Sequence, residues 1–385
     1  MTIRNADGDR TPIRRVSTPV GDPAWLVSGY DEVRELLADP RLGRTHAEPE
    51  RAAHYAHSVL FGGPMGDDPA QEFAAWSRTR RHTAPLFSPR RISEYAPRVQ
   101  QLAEELTDAM LAAGSPGDLH ESLTLPLSSR VMCELLGVPW DDEADFQLWS
   151  TQAADLADPD LSLTGLTALW TYLRELVERR QKQPCEDGIS RMLASAADDP
   201  DFTTDEVAKA CAGFVFAGYE QTAMAVDNAI LTLLVHPEQY AQLRLDRTGL
   251  ASALEELLRH STMPTPGHDQ PSGLCRYAQQ DLSVAGVTVD AGELLVLDVG
   301  TANLDDTAFT DPDRLDFARA PNPHLTFGHG PRYCVGAPLA RTELRSVLTA
   351  LLDRIPAPRL TVPRHSLRYA EGKLVYGLRE LPVSW

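Results

Sequence analysis

Phe327-Gly328-His329-Gly330-Pro331-Arg332-Tyr333-Cys334-Val335-Gly336 is the stretch on which the reading of this 385-residue chain turns. Three glycines and a proline in ten positions exclude regular structure and let the backbone approach something flat and bulky. A helix is predicted to start at Ala337-Pro338 and to carry Leu339, Glu343, Leu344, Val347 and Leu351 at helical spacing. Cys334 thus precedes a helix N-terminus, whose free N–H groups and dipole favour a thiolate, which is a metal ligand. Taken alone, the residues leave other readings open. A lone cysteine is often a small buried hydrophobe. His324, His329 and Cys334 could begin a zinc site, although their spacing matches no usual zinc pattern. A dinucleotide loop is excluded, because Tyr333 stands where the third glycine belongs.

The length alone suggests two domains. No low-complexity run, Gly/Ser tract or fixed-period repeat divides the chain, and helical patterns run from end to end, so one large, mainly helical domain with a smaller β region is expected. A formal charge of −19 argues against a nucleic-acid partner. Arg78, Arg80, Arg81, His82, Arg90 and Arg91 form a basic cluster suited to an acidic partner. The N-terminus has no apolar core of a signal peptide, and no apolar run is long enough to span a bilayer, so a soluble, cytoplasmic protein is expected. Five scattered cysteines without CxxC spacing agree with a reducing compartment.

Strands are predicted within residues 12–28 and 282–299, the latter with turns at Gly286 and Ala291-Gly292. Helices are predicted at Asp31 to Leu37, at 96–113 and at 118–137. Residues 41–70, with Tyr55, Phe61, Gly62, Gly63 and Pro64, form a long loop of the kind that is functional or disordered. Between 140 and 184, Phe146, Trp149, Trp170 and Tyr172 lie on two helical segments separated by Ala157-Asp158-Pro159-Asp160; aromatics so spaced are more often core than ligand contacts. A capping box, Thr203 with Glu206, opens one long helix reaching His236-Pro237, a rod of roughly 50 Å. Ala217-Gly218 in its middle permits close approach of another helix or of a ligand. Glu256 and Arg259, three apart, share a helix face.

The ten-residue stretch resembles, at every defining position, the haem-binding loop of the cytochrome P-450 superfamily, Phe-Gly-x-Gly-x-(His or Arg)-x-Cys-x-Gly. The resemblance extends from about residue 12 to the end, leaving 1–11 as a flexible tail, and it implies one domain with a long central helix over the haem. It implies haem b ligated by Cys334 within a loop that includes Phe327 and Gly336, with thiolate donation favouring O–O cleavage. Arg80, Arg276 and Arg332 would face the propionates, with Trp76 beside Arg80 where many relatives have histidine. Ala217 and Gly218 would line the groove for dioxygen, and Glu220 would help deliver protons. Relatives usually have threonine after that acid. Here Gln221 stands there, and Thr222, about 100° further round, is no simple substitute. Glu256, Arg259 and Arg314 would form a buried triad bracing the thiolate loop. The segment 140–184 would be a lid, loop 41–70 would line the substrate pocket, and Leu367 to Trp385 would be a hairpin turning at Glu371-Gly372-Lys373.

The function implied is oxidation of a small organic, secondary-metabolite substrate by dioxygen, with electrons from a ferredoxin and its reductase docking near the basic cluster. The alternative is oxidative coupling, or another atypical oxidation, of an aromatic or cyclic-peptide substrate, motivated by Gln221 and the aromatic lid. A haem protein that only binds is a third reading, made weaker by the acid at Glu220.

Overall fold

Leu294-Leu295-Val296-Leu297 is apolar on both faces, and each of its side chains is at most 1% exposed. Such a run suits a strand covered on both sides. It is the middle strand of a five-stranded sheet in the computed structural model, which describes residues 11–56, 62–156, 158–261, 271–370 and 377–385. The strand order is Ile13–Ser17, Pro23–Val27, Leu294–Leu297, Leu274–Ala278, Leu42–Gly43. The central strand runs parallel to Pro23–Val27, with Trp25 opposite Leu295, and antiparallel to Leu274–Ala278, with Arg276 again opposite Leu295. The predicted turn at Gly286 closes a separate hairpin, Leu282–Val284 with Val287–Val289, where Ala285 and Gly286 both take positive φ.

The chain divides into two compact units: residues 1–76 with 248–334, and residues 77–247 with 335–385. The first holds this sheet, the hairpin and the helices Tyr30–Ala38, Leu250–Ser261 and Val299–Ala302. Its core gathers Val33, Leu36 and Leu37 from the first helix with Leu295, Leu297, Phe309 and Leu325.

The second unit is mainly helical. Helix Ala337–Arg354 starts where the sequence predicts and packs along Pro89–Ala113. The latter begins seven residues earlier than the periodicity suggests. Pro89 sits in its first turn, where a missing N–H costs nothing, and Pro97 is accommodated inside. The expected helix 118–137 is two pieces: a π-helical turn, His120–Thr124, running into Leu125–Leu136, which ends at left-handed Gly137. A small sheet of Gly117–Asp118, Pro382–Ser384 and Arg359–Leu360 closes one end. The predicted tail hairpin keeps its bridge between Tyr369 and Leu378; its turn at Glu371-Gly372-Lys373 lies outside the described residues, as do Phe61, Ala157 and the tail 1–10.

The long helix is not one rod. It is Thr204–Gly218 and Glu220–Leu234, separated at Tyr219, whose φ of −87° and ψ of −85° leave the helical region. Gly218, with little helical preference of its own, immediately precedes the break. Thr203 caps the first half by accepting a bond from the Glu206 N–H, at 3.3 Å, while the Glu206 carboxylate pairs with Lys209 instead of returning to the cap. In the helix pair Glu143–Ala153 and Pro159–Lys182, Tyr172 sits against Phe146 and Trp149 at ring separations of 6.3 and 5.5 Å, and Phe146 is 2% exposed. The Tyr172 hydroxyl donates to Asp142. These aromatics hold the two helices together.

Candidate active site

In the first unit, Phe327–Gly336 begins as a loop tied by short backbone bonds: Gly328 N–H to the Leu325 carbonyl, Tyr333 N–H to Gly330, and Cys334 N–H back to Phe327 at 2.9 Å. Gly328 and Gly330 take φ of +74° and +73°, which side chains resist. A Cβ on Gly330 would also lie 2.8 Å from the Cα of Ala38. The loop is thus sharply folded, and Cys334 is exposed at its end, three residues before helix Ala337–Arg354. Gly336 is that helix's N-cap residue. Among the described residues, no group of three or more His, Cys, Asp or Glu could hold a metal ion, which removes the support for a zinc site.

Behind the loop lies a buried polar network. Glu256 and Arg259 are both fully buried, and the guanidinium grips the carboxylate with two bonds of 2.9 and 2.8 Å. Burial would raise the Glu256 pKa, but bonds from Arg259, His260 and the Asp316 N–H outweigh it, holding this carboxyl well below the usual range. Glu256 also accepts from Arg319 Nε, at 3.1 Å to each oxygen, and from Asn322.

The expected third member, Arg314, is not there. Its side chain is 69% exposed and its charge faces Asp316 at 3.9 Å. Arg319 takes that place, because the chain folds back after Asp316: Arg319 also donates to the carbonyls of Thr310, Asp311 and Arg314, turning the loop around its guanidinium. Asn303 carries the bracing onward. Its carbonyl accepts from Arg259, and its side chain accepts from the Leu325 N–H and donates to Thr326 Oγ1, just ahead of Phe327. The sequence offers no periodicity that would single out Asn303.

A second cluster is cationic. Arg44, Arg276 and Arg332 are half-buried and lie close together, near enough for Arg332 to lower the other two and for Arg44 to lower Arg276. Burial, with the charges of Arg44 and Arg332, brings Arg276 down to about 10. Arg44 is lowered too, by burial and then by Arg332. Glu72 is the carboxylate that answers them, held by Arg332 in two bonds of 3.0 and 2.6 Å. Trp76 lies under the Arg332 guanidinium, 4.7 Å from its ring centre. Three cations against one anion leave a surplus of two positive charges in a partly desolvated place, which an anion relieves. An exposed thiol and an uncompensated charge of two within one unit fit a flat cofactor bearing two carboxylates, as a haem does. Arg44, missed in the sequence, belongs to this cluster. Arg80 lies one turn beyond Trp76 on helix Pro69–Thr83, half-buried and without an ion-pair partner among the described residues.

In the second unit, Ala217 and Gln221 are exposed, one on each side of the break at Tyr219, while Glu220 and Thr222 are half-buried. Gly218 is half-buried against another helix. A Cβ there would lie 2.7 Å from the Cε of Met132, so its smallness serves packing against helix Leu125–Leu136. The basic cluster is largely answered from within: Arg78 and Arg81 face Asp199, Arg78 reaches Asp201, Arg90 pairs with Glu94, and buried His82 sits between Asp199 and Ser195. Arg81 and Arg90 nonetheless stay exposed, at 71% and 90% of their side chains. Among the described residues, no helix is long and apolar enough to cross a membrane.

The cytochrome P-450 family model matches residues 168–248 and 250–355. The mycinamicin IV hydroxylase/epoxidase of Micromonospora griseorubida is 37% identical over 378 residues, covering 97% of this chain and 92% of that one. The nocardicin C N-oxygenase of Nocardia uniformis subsp. tsuyamanensis is also 37% identical, with the same coverage. Among solved structures, substrate-free PimD, a polyene macrolide antibiotic pimaricin epoxidase, is 40% identical with a TM-score of 0.84 over 97% of this chain and 93% of its own. The chain belongs to the cytochrome P-450 family and is a haem-dependent monooxygenase that uses dioxygen as co-substrate.

Proposed function

We infer that this enzyme tailors a secondary metabolite by inserting one oxygen atom into a C–H or C=C bond, using electrons from a ferredoxin and ferredoxin reductase in the cytoplasm. Haem b, when bound, supplies reductive activation of dioxygen. The protein's share of the work falls on named residues. Cys334 would supply a thiolate ligand to the haem iron, and Arg44, Arg276, Arg332 and Arg80 would meet its propionates. Glu256, Arg259, Arg319 and Asn303 hold the loop so that the sulfur does not move as charge builds up. Glu220 passes protons inward. Gln221 offers a carboxamide that holds a water where relatives have a hydroxyl. Three cations sharing one carboxylate, in the unit that exposes Cys334, are the observation that supports this reading best.

The relatives named above act on macrolide-type compounds and on nocardicin C, which favours a multi-ring or macrocyclic substrate over a small planar aromatic one. The packing of Trp149 and Tyr172 on each other within their own helix pair supports a structural role for these rings. Oxidative coupling remains a second reading because Gln221, which is exposed, lacks the hydroxyl.

The test is the reduced, carbon monoxide-treated protein, followed by turnover of a macrolide panel with ferredoxin, reductase and 18O-labelled dioxygen. A red-shifted Soret band that Cys334→His abolishes, together with label in the product, is expected. A band at the ordinary histidine-haem position in the wild type would overturn the ligation. Unlabelled cyclised product would overturn oxygen insertion in favour of coupling.

A further inference from the structure

At the break, Tyr219 still donates to the Val215 carbonyl at 3.1 Å and accepts from the Ala223 N–H at 3.2 Å, but its ψ of −85° distorts the turn that carries Glu220. Glu220 is the first residue of this half-helix, and no side chain caps it. Side-chain bonds further along the half-helix therefore bear on its orientation. Seven residues on, 20° short of two full turns, is Asp227, on the same side of the helix as Glu220. Asp227 is fully buried.

Each carboxylate oxygen of Asp227 has its own partner. His120 Nδ1 lies 2.7 Å from Oδ2, and Thr124 Oγ1 donates to Oδ1 at 2.6 Å. Two bonds to two oxygens fix the direction of a carboxylate as well as its position. Both partners sit on the π-helical turn, which brings residues four apart to one acceptor. That turn is itself anchored. Asp118 accepts from the N–H groups of His120 and Leu381, and the Leu119 N–H donates to the Leu381 carbonyl. A second contact lies nearer to Glu220: a Cβ on Gly377 would come within 2.9 Å of Met224 Cγ, so the C-terminal segment presses against the helix one turn after the acid.

We propose that His120 and Thr124 are positioning residues: by holding Asp227 they set the rotation of the half-helix 220–234, and so aim Glu220 and Gln221. The proposal rests on the proton-delivery reading of Glu220 given above. The clamp strengthens when His120 is protonated. Burial opposes that charge, but the hydrogen bond and charge of Asp227, aided by Asp118 and Glu121, raise the His120 pKa above its ordinary value. Burial raises the Asp227 carboxyl as well, so the charged clamp weakens at low pH as Asp227 takes up a proton, and weakens again as pH rises through the raised midpoint of His120. Glu220 then loses its fixed aim, and reducing equivalents leak into peroxide.

The test compares wild type with His120→Ala, which removes the bond, and His120→Asn, whose Nδ2 keeps a donor near the Nδ1 position without titrating. Two readouts are taken on the holoenzyme: deuterium uptake of peptides covering 220–234, and product formed per NADPH consumed, across pH. Expected in His120→Ala are amide exchange on the order of tenfold faster in that segment and a clear fall in coupling. His120→Asn restores both and makes coupling flat with pH over the range in which wild-type coupling declines as pH rises through the raised His120 midpoint. Unchanged deuterium uptake in His120→Ala would overturn the clamp whatever the enzyme's reaction proves to be. Faster uptake with unchanged coupling would show a merely structural clamp and overturn the positioning role. Failure of Glu220 as proton donor is read separately, from Glu220→Gln keeping full coupling.

Discussion

Glu256 and Glu343 are both buried glutamates, at 0% and 1% exposure, and the two units treat them in opposite ways. In the first unit, Arg259, Arg319, His260, Asn322 and a backbone N–H surround Glu256 and keep it ionised. In the second, Glu343 has burial on every side and one hydrogen bond, from Ser128 at 2.8 Å, and burial pushes its carboxyl up to about 8. One acid is a charged hub from which a loop is hung. The other is a neutral wedge between helices. The lesson is that burial alone does not say what an acid does; the number of donors aimed at it does.

Removing a donor from the hub should have the largest effect. Arg259→Leu leaves Glu256 buried with part of its compensation gone and is expected to cost about 3–5 kcal/mol, with loss of haem, measured by chemical unfolding and by the Soret absorbance. If Arg259→Leu unfolded at wild-type denaturant concentration, the hub would be no hub. Glu343→Gln is expected to be stabilising by about 1–2 kcal/mol at neutral pH, because the neutral amide no longer forgoes ionisation on folding. The pH dependence sharpens the contrast. Glu256, lowered in the fold, supports stability above its unfolded pKa, and that support is lost as pH falls below about 4. Glu343, raised in the fold, acts the other way: its protonated form is favoured at low pH, and stability drains away as pH climbs from about 4 towards 8. Thermal melts of Glu343→Gln between these limits should therefore lose the alkaline decline that the wild type shows. The smallest effect belongs to Arg314→Ala, expected within about 0.5 kcal/mol of wild type, since its guanidinium is exposed and 3.9 Å from its acid.

What the sequence made legible followed from local constraint. The thiolate loop is written in glycines whose positive φ other residues rarely adopt, and the central strand in an unbroken apolar run. Glu256 and Arg259 are three apart on one helix and had to meet. Arg319 was not legible: it stands five residues past Arg314 in a segment with no period, and only the return of the chain after Asp316 decides which arginine reaches inward. Asp227 and His120 are 107 positions apart, and nothing local in either marks the pairing. The break at Tyr219 was hidden for a different reason. Helical periodicity continues through it, since one distorted residue barely shifts the apolar stripe on either side.

The parallel pairing of Pro23–Val27 with Leu294–Leu297 joins strands some 270 positions apart in the chain. On the ribosome, the first of these strands waits without its neighbour until about three-quarters of the polypeptide has been made, whereas most of the helical unit lies in the stretch between and has only local partners to find. The sheet, and with it the seat of Cys334, is consequently among the last parts to form. Cofactor capture is then a late event of biogenesis, and a shortage of haem would be met by a chain whose helices between the two strands are already in place.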